Sequence, residues 1–350
     1  KSNEKKAISP TQFNHQSTRG HCIMTLEIEM PMPDNEQMKQ RGRVYICDLA
    51  GTEPAGDIYF ANYEKKTFPN GDVEHILLGN GSDEVLDLIF RAFCEPNQDS
   101  ILTLPPTYGM YDVLANLNAV ENIQVPLSPD FQLEVDSILA AIESRTKLLF
   151  ICSPNNPSGN AVDRKAIERL LNEFKGVVVI DEAYIDFTNE VSWTAYLNMY
   201  PNLIVIQTLS KAYGLAGIRL GICYASNAII AVLNKIKPPY NINTLTQDAA
   251  IKAPKNKEVV DAQVETLLNE RNSLINAFKS VSFIKKIYPS EANFILIKVD
   301  DANKRYDELI KNGIVVRNRS SQLHCENCLR ITVGTPSENA QLLTLLNTLK

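Results

Sequence analysis

Four short stretches gather side chains able to bind a ligand and exchange protons with it. They are Gly79-Asn80-Gly81-Ser82-Asp83-Glu84, Ser153-Pro154-Asn155-Asn156-Pro157-Ser158-Gly159, Asp181-Glu182-Ala183-Tyr184, and the run from Thr208 through Ser210-Lys211 to Arg219-Leu220-Gly221. Each has an ordinary structural explanation when taken alone. A Gly-rich stretch before a helix is a turn, an Asp at a strand end is often a cap, and a Lys among small residues usually faces solvent. All four, however, fall at the ends of predicted strands, where open α/β sheets place their ligands. Their coincidence points to one site. A separate candidate is Cys325-Glu326-Asn327-Cys328, preceded by His324. No second CxxC accompanies it, and three donors fall short of a tetrahedral zinc site. It is read as a turn between strands, with no metal.

The elements that must position these residues follow from hydrophobic periodicity. From about residue 76, strand-like and helix-like segments alternate, the pattern of an α/β domain with a mostly parallel sheet. Asp83 to Phe93 reads as a helix, because Val85, Leu86, Ile89, Phe90 and Phe93 recur at three- and four-residue steps. Gly79 to Ser82 leads into it with flexible backbone and Ser82 as N-cap. Leu148–Ile151, Val177–Ile180 and Leu203–Ile206 read as buried strands covered on both faces. Asp163 to Phe174 reads as a helix capped by Asp163. After Lys237-Pro238-Pro239-Tyr240 come a long polar helix (about 255–280), a strand at Asn293–Val299, a helix at Ala302–Asn312, short strands near Val315 and Ile331, and a last helix from about Ser337 to Leu349. The division expected is an atypical segment 1–70, a large domain 71–240 and a smaller α+β domain 241–350.

Composition narrows the function classes. The chain has 350 residues, 44% apolar and 22% charged, with 35 Lys+Arg against 41 Asp+Glu for a net charge of −6. That balance disfavours nucleic acid or an anionic membrane surface as partner. No apolar run approaches the roughly 20 residues of a membrane span. No secretory signal is apparent, and seven scattered cysteines suggest a reducing cytoplasm rather than a disulfide framework.

From about Ile76 onward, the chain resembles the fold-type I, pyridoxal-phosphate-dependent aminotransferases, and within them the histidinol-phosphate branch. The resemblance rests on Ser210-Lys211 followed by Gly217, Arg219 and Gly221, and on Asn156-Pro157-x-Gly159. The branch is suggested by Arg91 to Pro96, Pro106-Thr107-Tyr108-Gly109-Met110-Tyr111, and Cys328-Leu329-Arg330-Ile331-Thr332-Val333-Gly334-Thr335. It implies a large domain with a mostly parallel sheet of the seven-stranded type, a smaller α+β C-terminal domain, and a homodimer. It also implies amino transfer between L-histidinol phosphate and 2-oxoglutarate, in histidine biosynthesis.

The same resemblance implies the site. Lys211 would hold the aldehyde of pyridoxal 5'-phosphate covalently and, once released, shuttle a proton, its pKa lowered by cations such as Arg219. Asp181 would face the pyridine nitrogen. Tyr184 and Asn156 would hydrogen-bond the ring oxygen, and Tyr108 would stack on the ring. The phosphate would sit at the helix N-terminus on the amides of Ser82 and Asp83, completed by Ser210 and Arg219. Arg330 would grip a substrate carboxylate or its anionic replacement. Arg317 would contact the substrate phosphate, with Arg319 as an alternative.

The first seventy residues depart from that family. Its Asn-Glu-Asn-Pro and Arg-Tyr-Pro stretches do not occur, and Tyr59 and Tyr63 lack the context for a role. Instead Asn14-His15-Gln16-Ser17-Thr18-Arg19-Gly20-His21 and Asp48-Leu49-Ala50-Gly51-Thr52-Glu53 resemble the two switches of a kinesin motor, with Ile23–Ile28 and Val44–Cys47 as the adjoining strands. The join falls near residues 64–75. The chain contains no GxxxxGK[ST] phosphate loop, so a nucleotide switch or cytoskeletal role is disfavoured. On the same scaffold, the alternatives are an aromatic-amino-acid aminotransferase and a threonine-phosphate decarboxylase.

Overall fold

Val177-Val178-Val179-Ile180 has no polar face to offer water, so a strand built from it needs cover on both sides. The computed structural model, which describes residues 22–32, 35–48, 73–253 and 257–349, provides that cover. The chain divides into two units, Lys1–Ala55 and Gly56–Lys350. In the first unit β1 (Cys22–Met32) pairs antiparallel with β2 (Asn35–Asp48), Ile23 lying opposite Cys47 and Ile28 opposite Gly42. The two strands expected there are therefore paired with each other. The switch-like stretches 14–21 and 49–53, with Tyr59 and Tyr63, lie outside the described residues.

The second unit is α/β. Its larger sheet has seven strands: β3 (Ile76–Asn80), β9 (Leu220–Ala225), β8 (Leu203–Thr208), β7 (Val177–Asp181), β6 (Thr146–Cys152), β4 (Ser100–Thr103) and β5 (Glu121–Gln124), in that spatial order. The pairs among β8, β7, β6, β4 and β5 are all parallel, and β9 runs antiparallel to both its neighbours. Alternation splits the core in two. Val178 and Ile180 of β7 pack on one face with Ile167, Leu170 and Leu171 of α4 (Arg164–Glu173). Val179 packs on the other with Leu86, Ile89 and Phe90 of α1 (Ser82–Phe93), Leu114 of α2 (Met110–Leu117) and Leu233 of α5 (Asn227–Ile236). Each such side chain contributes about 1.5–3 kcal/mol by leaving water. A short helix α3 (Val135–Ala141) adds Ile138 to the first face.

Asp163 caps α4 as expected, its side chain accepting from the Lys165 amide. Ser82 does not cap α1. Gly81 occupies the N-cap position with φ +84°, and Ser82 is the first helical residue. The backbone conformation that the turn requires there is one glycine adopts freely.

After α6 (Thr244–Lys252) and the long α7 (Lys257–Phe278) comes a smaller antiparallel sheet, ordered β10 (Ile284–Ile287), β11 (Phe294–Val299), β13 (Cys328–Thr332), β12 (Arg317–Asn318). Leu274 and Phe278 of α7, Leu309 of α8 (Ala302–Lys311), and Leu342 and Leu346 of α9 (Pro336–Thr348) close over Ile295 and Ile297. Among the described residues, no helix is long and apolar enough to cross a membrane.

Candidate active site

Parallel neighbours deliver their chemistry to one edge. Cys152 ends β6, Asp181 ends β7 and Thr208 ends β8, with Cys152 and Asp181 in register. Next to them opens a cavity of about 480 Å³, lined in part by Ser82, Asp83, Tyr108, Asn156, Asp181, Tyr184, Ser210, Lys211, Arg219, Arg317 and Arg330. The residues to which the resemblance gave a role in the site thus line one cavity. Cys152, Thr208, Ala216 and Arg319 line it too.

The turn from β3 into α1 is held close to β9 by two glycines. A Cβ on Gly81 would fall 2.5 Å from Arg219 Nη2, and one on Gly221 would fall 2.3 Å from the Ser82 amide nitrogen. The first turn of α1 therefore reaches the cavity beside Arg219, which itself adopts φ +56°. Arg219 pairs with Asp83 at 3.7 Å, and the Tyr108 hydroxyl donates to the same carboxylate at 3.0 Å.

Asp181 is buried, and burial pushes its carboxyl up. Two donors oppose this: the Tyr111 hydroxyl at 2.9 Å on one oxygen and the Ala183 amide at 3.0 Å on the other. Lys211 lies with its Nζ 5.4 Å from the centre of the Tyr184 ring. Its pKa is lowered, first by burial; Asp181 resists, and Arg330 rather than the expected Arg219 is the cation that adds to the lowering. Burial also raises the Tyr184 phenol.

On the opposite wall, β12 and β13 bring Arg317 opposite Arg330 in register. The Arg330 guanidinium lies over the Phe294 ring at 4.8 Å and donates to Asn156 Oδ1 at 2.6 Å, so Asn156 joins the two sheets. Burial lowers the pKa of Arg330, and Arg319 and Arg317 lower it further. The buried Nε atoms of Arg319 and Arg330 have no hydrogen-bond partner among the described residues. Three crowded guanidiniums with unspent donors form a receptor for anions.

A family model described as aminotransferase class I and II matches residues 59–346. The chain belongs to the class I and II aminotransferase family. The histidinol-phosphate aminotransferase of Flavobacterium johnsoniae is 59% identical over 280 residues, covering 80% of this chain and 80% of that protein. The crystal structure of the histidinol-phosphate aminotransferase from Clostridium acetobutylicum superposes with a TM-score of 0.77 at 25% identity, covering 85% of this chain and 90% of that one. That of the Sinorhizobium meliloti histidinol-phosphate aminotransferase in complex with pyridoxal-5'-phosphate gives a TM-score of 0.75 at 20% identity, with 86% and 84% covered. Residues 1–65 match a second model, the kinesin motor domain, so the kinesin-like segment and the aminotransferase meet at residues 59–65.

An aminotransferase of this family implies pyridoxal phosphate, and the residues present fit it. A phosphate suits the first amides of α1 together with Ser210 and Arg219. A buried carboxylate with donors on both oxygens suits a protonated ring nitrogen, and an amine held below its ordinary pKa suits an aldehyde. The sequence offered Tyr111 only as part of a motif; its contact with Asp181 spans seventy positions and carries no local signal.

Proposed function

We propose that this aminotransferase transfers an amino group between L-histidinol phosphate and 2-oxoglutarate, in histidine biosynthesis. The observation that carries the reading is the convergence of Arg317, Arg319 and Arg330 on the cavity that holds Lys211, alongside the 59% identity to a histidinol-phosphate aminotransferase. Such a site suits substrates that present a phosphate in one half-reaction and carboxylates in the other.

Pyridoxal 5'-phosphate would be held by Ser82, Asp83, Ser210 and Arg219 at its phosphate, by Asp181 at its ring nitrogen, by Asn156 and Tyr184 at its ring oxygen, by Tyr108 at its face and by Lys211 at its aldehyde. Bound there, it supplies the electron sink that lets a proton leave the substrate carbon. The rest of the work belongs to the chain. Lys211, its pKa lowered by burial, takes that proton and returns it one position away. The hydrogen bonds from Tyr111 and Ala183 favour the Asp181 carboxylate against the burial that pushes its pKa up. Arg330, fixed by Asn156 and Phe294, grips the carboxylate or its anionic replacement, while Arg317 takes the phosphate, with Arg319 beside it. The reading carries with it a cytoplasmic homodimer with small-molecule partners.

The test is the visible absorption of the purified protein during titration with L-histidinol phosphate. A yellow band that disappears with this amine and returns with 2-oxoglutarate is expected. A band that ignores it and responds to phenylalanine or tyrosine moves the assignment to aromatic substrates. Release of carbon dioxide from threonine phosphate with no oxo-acid requirement moves it to a decarboxylase.

A further inference from the structure

The CxxC that the aminotransferase chemistry leaves unused sits directly behind the arginine wall. Cys325 and Cys328 are both fully buried. Two consecutive turns fold them together: the Cys325 amide donates to Gln322 O at 3.0 Å, and the Cys328 amide donates to Cys325 O at 2.9 Å. His324 and Asn327 take the left-handed backbone conformation, φ +59° and +56°, that such a tight path demands. The Cys328 Sγ donates to Glu326 O at 3.7 Å across the same turn. The Cys325 thiol donates to the Cys328 sulfur, and the Tyr288 hydroxyl donates to it as well; together they hold the Cys328 thiol below its ordinary pKa against the opposing effect of burial. Among the described residues, no group of three His, Cys, Asp or Glu could hold a metal ion. The pair is thus a vicinal dithiol closed in one tight turn, and Cys328 is the sulfur whose thiolate the neighbouring donors favour.

We propose that Cys325 and Cys328 are an oxidation site that a peroxide converts to an intramolecular disulfide, and that this bond weakens the grip of the arginine wall on the substrate. The oxidant must be small, because both sulfurs are buried and only Glu326 and Asn327 between them are exposed. The Cys328 thiolate attacks one peroxide oxygen and breaks the O–O bond. Hydroxide leaves and becomes water with the proton that Cys328 released, and Cys328 becomes a sulfenic acid. The Cys325 sulfur then attacks the Cys328 sulfur, the S–O bond breaks, and the hydroxyl departs as water with the Cys325 proton. Two thiols lose two electrons, and one peroxide becomes two waters.

The consequence for substrate follows from position. Cys328 is the first residue of β13, two places before Arg330, and its carbonyl accepts the Arg319 amide at 2.9 Å. Arg317 is paired with Arg330 on the neighbouring strand. A disulfide brings its sulfurs to about 2.05 Å, closer than a thiol hydrogen bond allows. The turn must contract, and the start of β13 moves with it.

The holoenzyme is treated with hydrogen peroxide, digested without reduction and analysed by mass spectrometry, while the KM and kcat for the phosphate-ester amine are followed in parallel. The expected result is a peptide containing Cys325 and Cys328 that is lighter by two hydrogens. A several-fold rise in KM with little change in kcat accompanies it, and dithiothreitol reverses both. Cys325→Ser and Cys328→Ser each abolish the bridge and keep the reduced enzyme's KM under peroxide. Absence of the bridge in the folded enzyme, with other cysteines oxidised, overturns the site. Formation of the bridge without a change in KM overturns the coupling. A rise in KM that persists in Cys325→Ser assigns the effect to another thiol and overturns the proposal.

Discussion

Burial pushes the Asp181 carboxyl up, and Tyr111 is the side chain that resists, donating its hydroxyl at 2.9 Å from within the core. Tyr111→Phe keeps the ring stacked on Phe150, at 4.9 Å in the native protein, and removes only that donor. A hydrogen bond to a charged group is worth about 1.5–3 kcal/mol, or roughly one to two pH units on the acid it lowers. With the donor gone, the Asp181 carboxyl titrates at higher pH, because its anion has lost support. The acid limb of the kcat profile moves up by about that amount, whereas Phe at Tyr111 leaves thermal stability nearly unchanged. An unmoved limb shows that Asp181 is held by the Ala183 amide alone.

Helix ends set the precision of the second sheet's cover. The Thr335 side chain accepts from the Glu338 amide, and the Glu338 carboxylate accepts from the Thr335 amide at 2.7 Å, a reciprocal cap on α9. Thr335→Ala costs about 1 kcal/mol by denaturant unfolding, with kcat and KM retained. At the start of α8, the buried Arg305 is clamped by Asp300 at 2.6 Å and Glu308 at 2.8 Å, and its guanidinium lies over Phe283 at 4.1 Å. The Arg305 hydrogen bond holds Asp300 down at about 2 from an ordinary 3.8. A depressed carboxyl stabilises the fold above its unfolded pKa, and that contribution is lost as pH falls through the folded one. The stability difference between the native chain and Asp300→Asn is therefore constant above about pH 4 and shrinks toward pH 2 in urea titrations. A difference that persists at pH 2 means Asp300 acts by packing.

At the scale of the whole second unit, activity depends on how the two sheets face each other. Arg271 of α7 donates to Phe187 O, just beyond Tyr184, at 3.2 Å and to Ala292 O, just before β11, at 2.9 Å. The Glu291 amide donates to Gly159 O at 2.6 Å, and Arg330 reaches across to Asn156. Small displacements of a substrate-binding wall are costly, since misplacement by about 1 Å can reduce rates by about two orders of magnitude. Arg271→Met is expected to raise KM several-fold while leaving the cofactor absorption intact, because the residues proposed to hold the cofactor come from the larger sheet and Arg330 from the smaller. Loss of the absorption instead places Arg271 in support of Tyr184.

What the sequence determined by itself was everything governed by local physics. Val177–Ile180 can only be a covered strand, Asp163 is placed to cap, and the Ser210-Lys211 to Gly221 stretch marks a lysine loop by its resemblance to the aminotransferase family. Those signals lie within a few residues of the element they specify, so hydrophobic period and capping chemistry suffice. Other assignments waited for the tertiary structure. Ser82 has the chemistry of a cap, yet the approach of Gly81 and Gly221 to Arg219 and Ser82 put the glycine there instead. Arg317 and Arg319 could not be ranked from their order in the chain, and the strand pair brought both to the cavity. The cation that acts on Lys211 is Arg330, far along the chain, and the hydroxyl that holds Asp181 belongs to Tyr111, seventy positions earlier. Burial and through-space charge depend on which distant segments share a cavity, and only the packing of the two sheets against each other decides that.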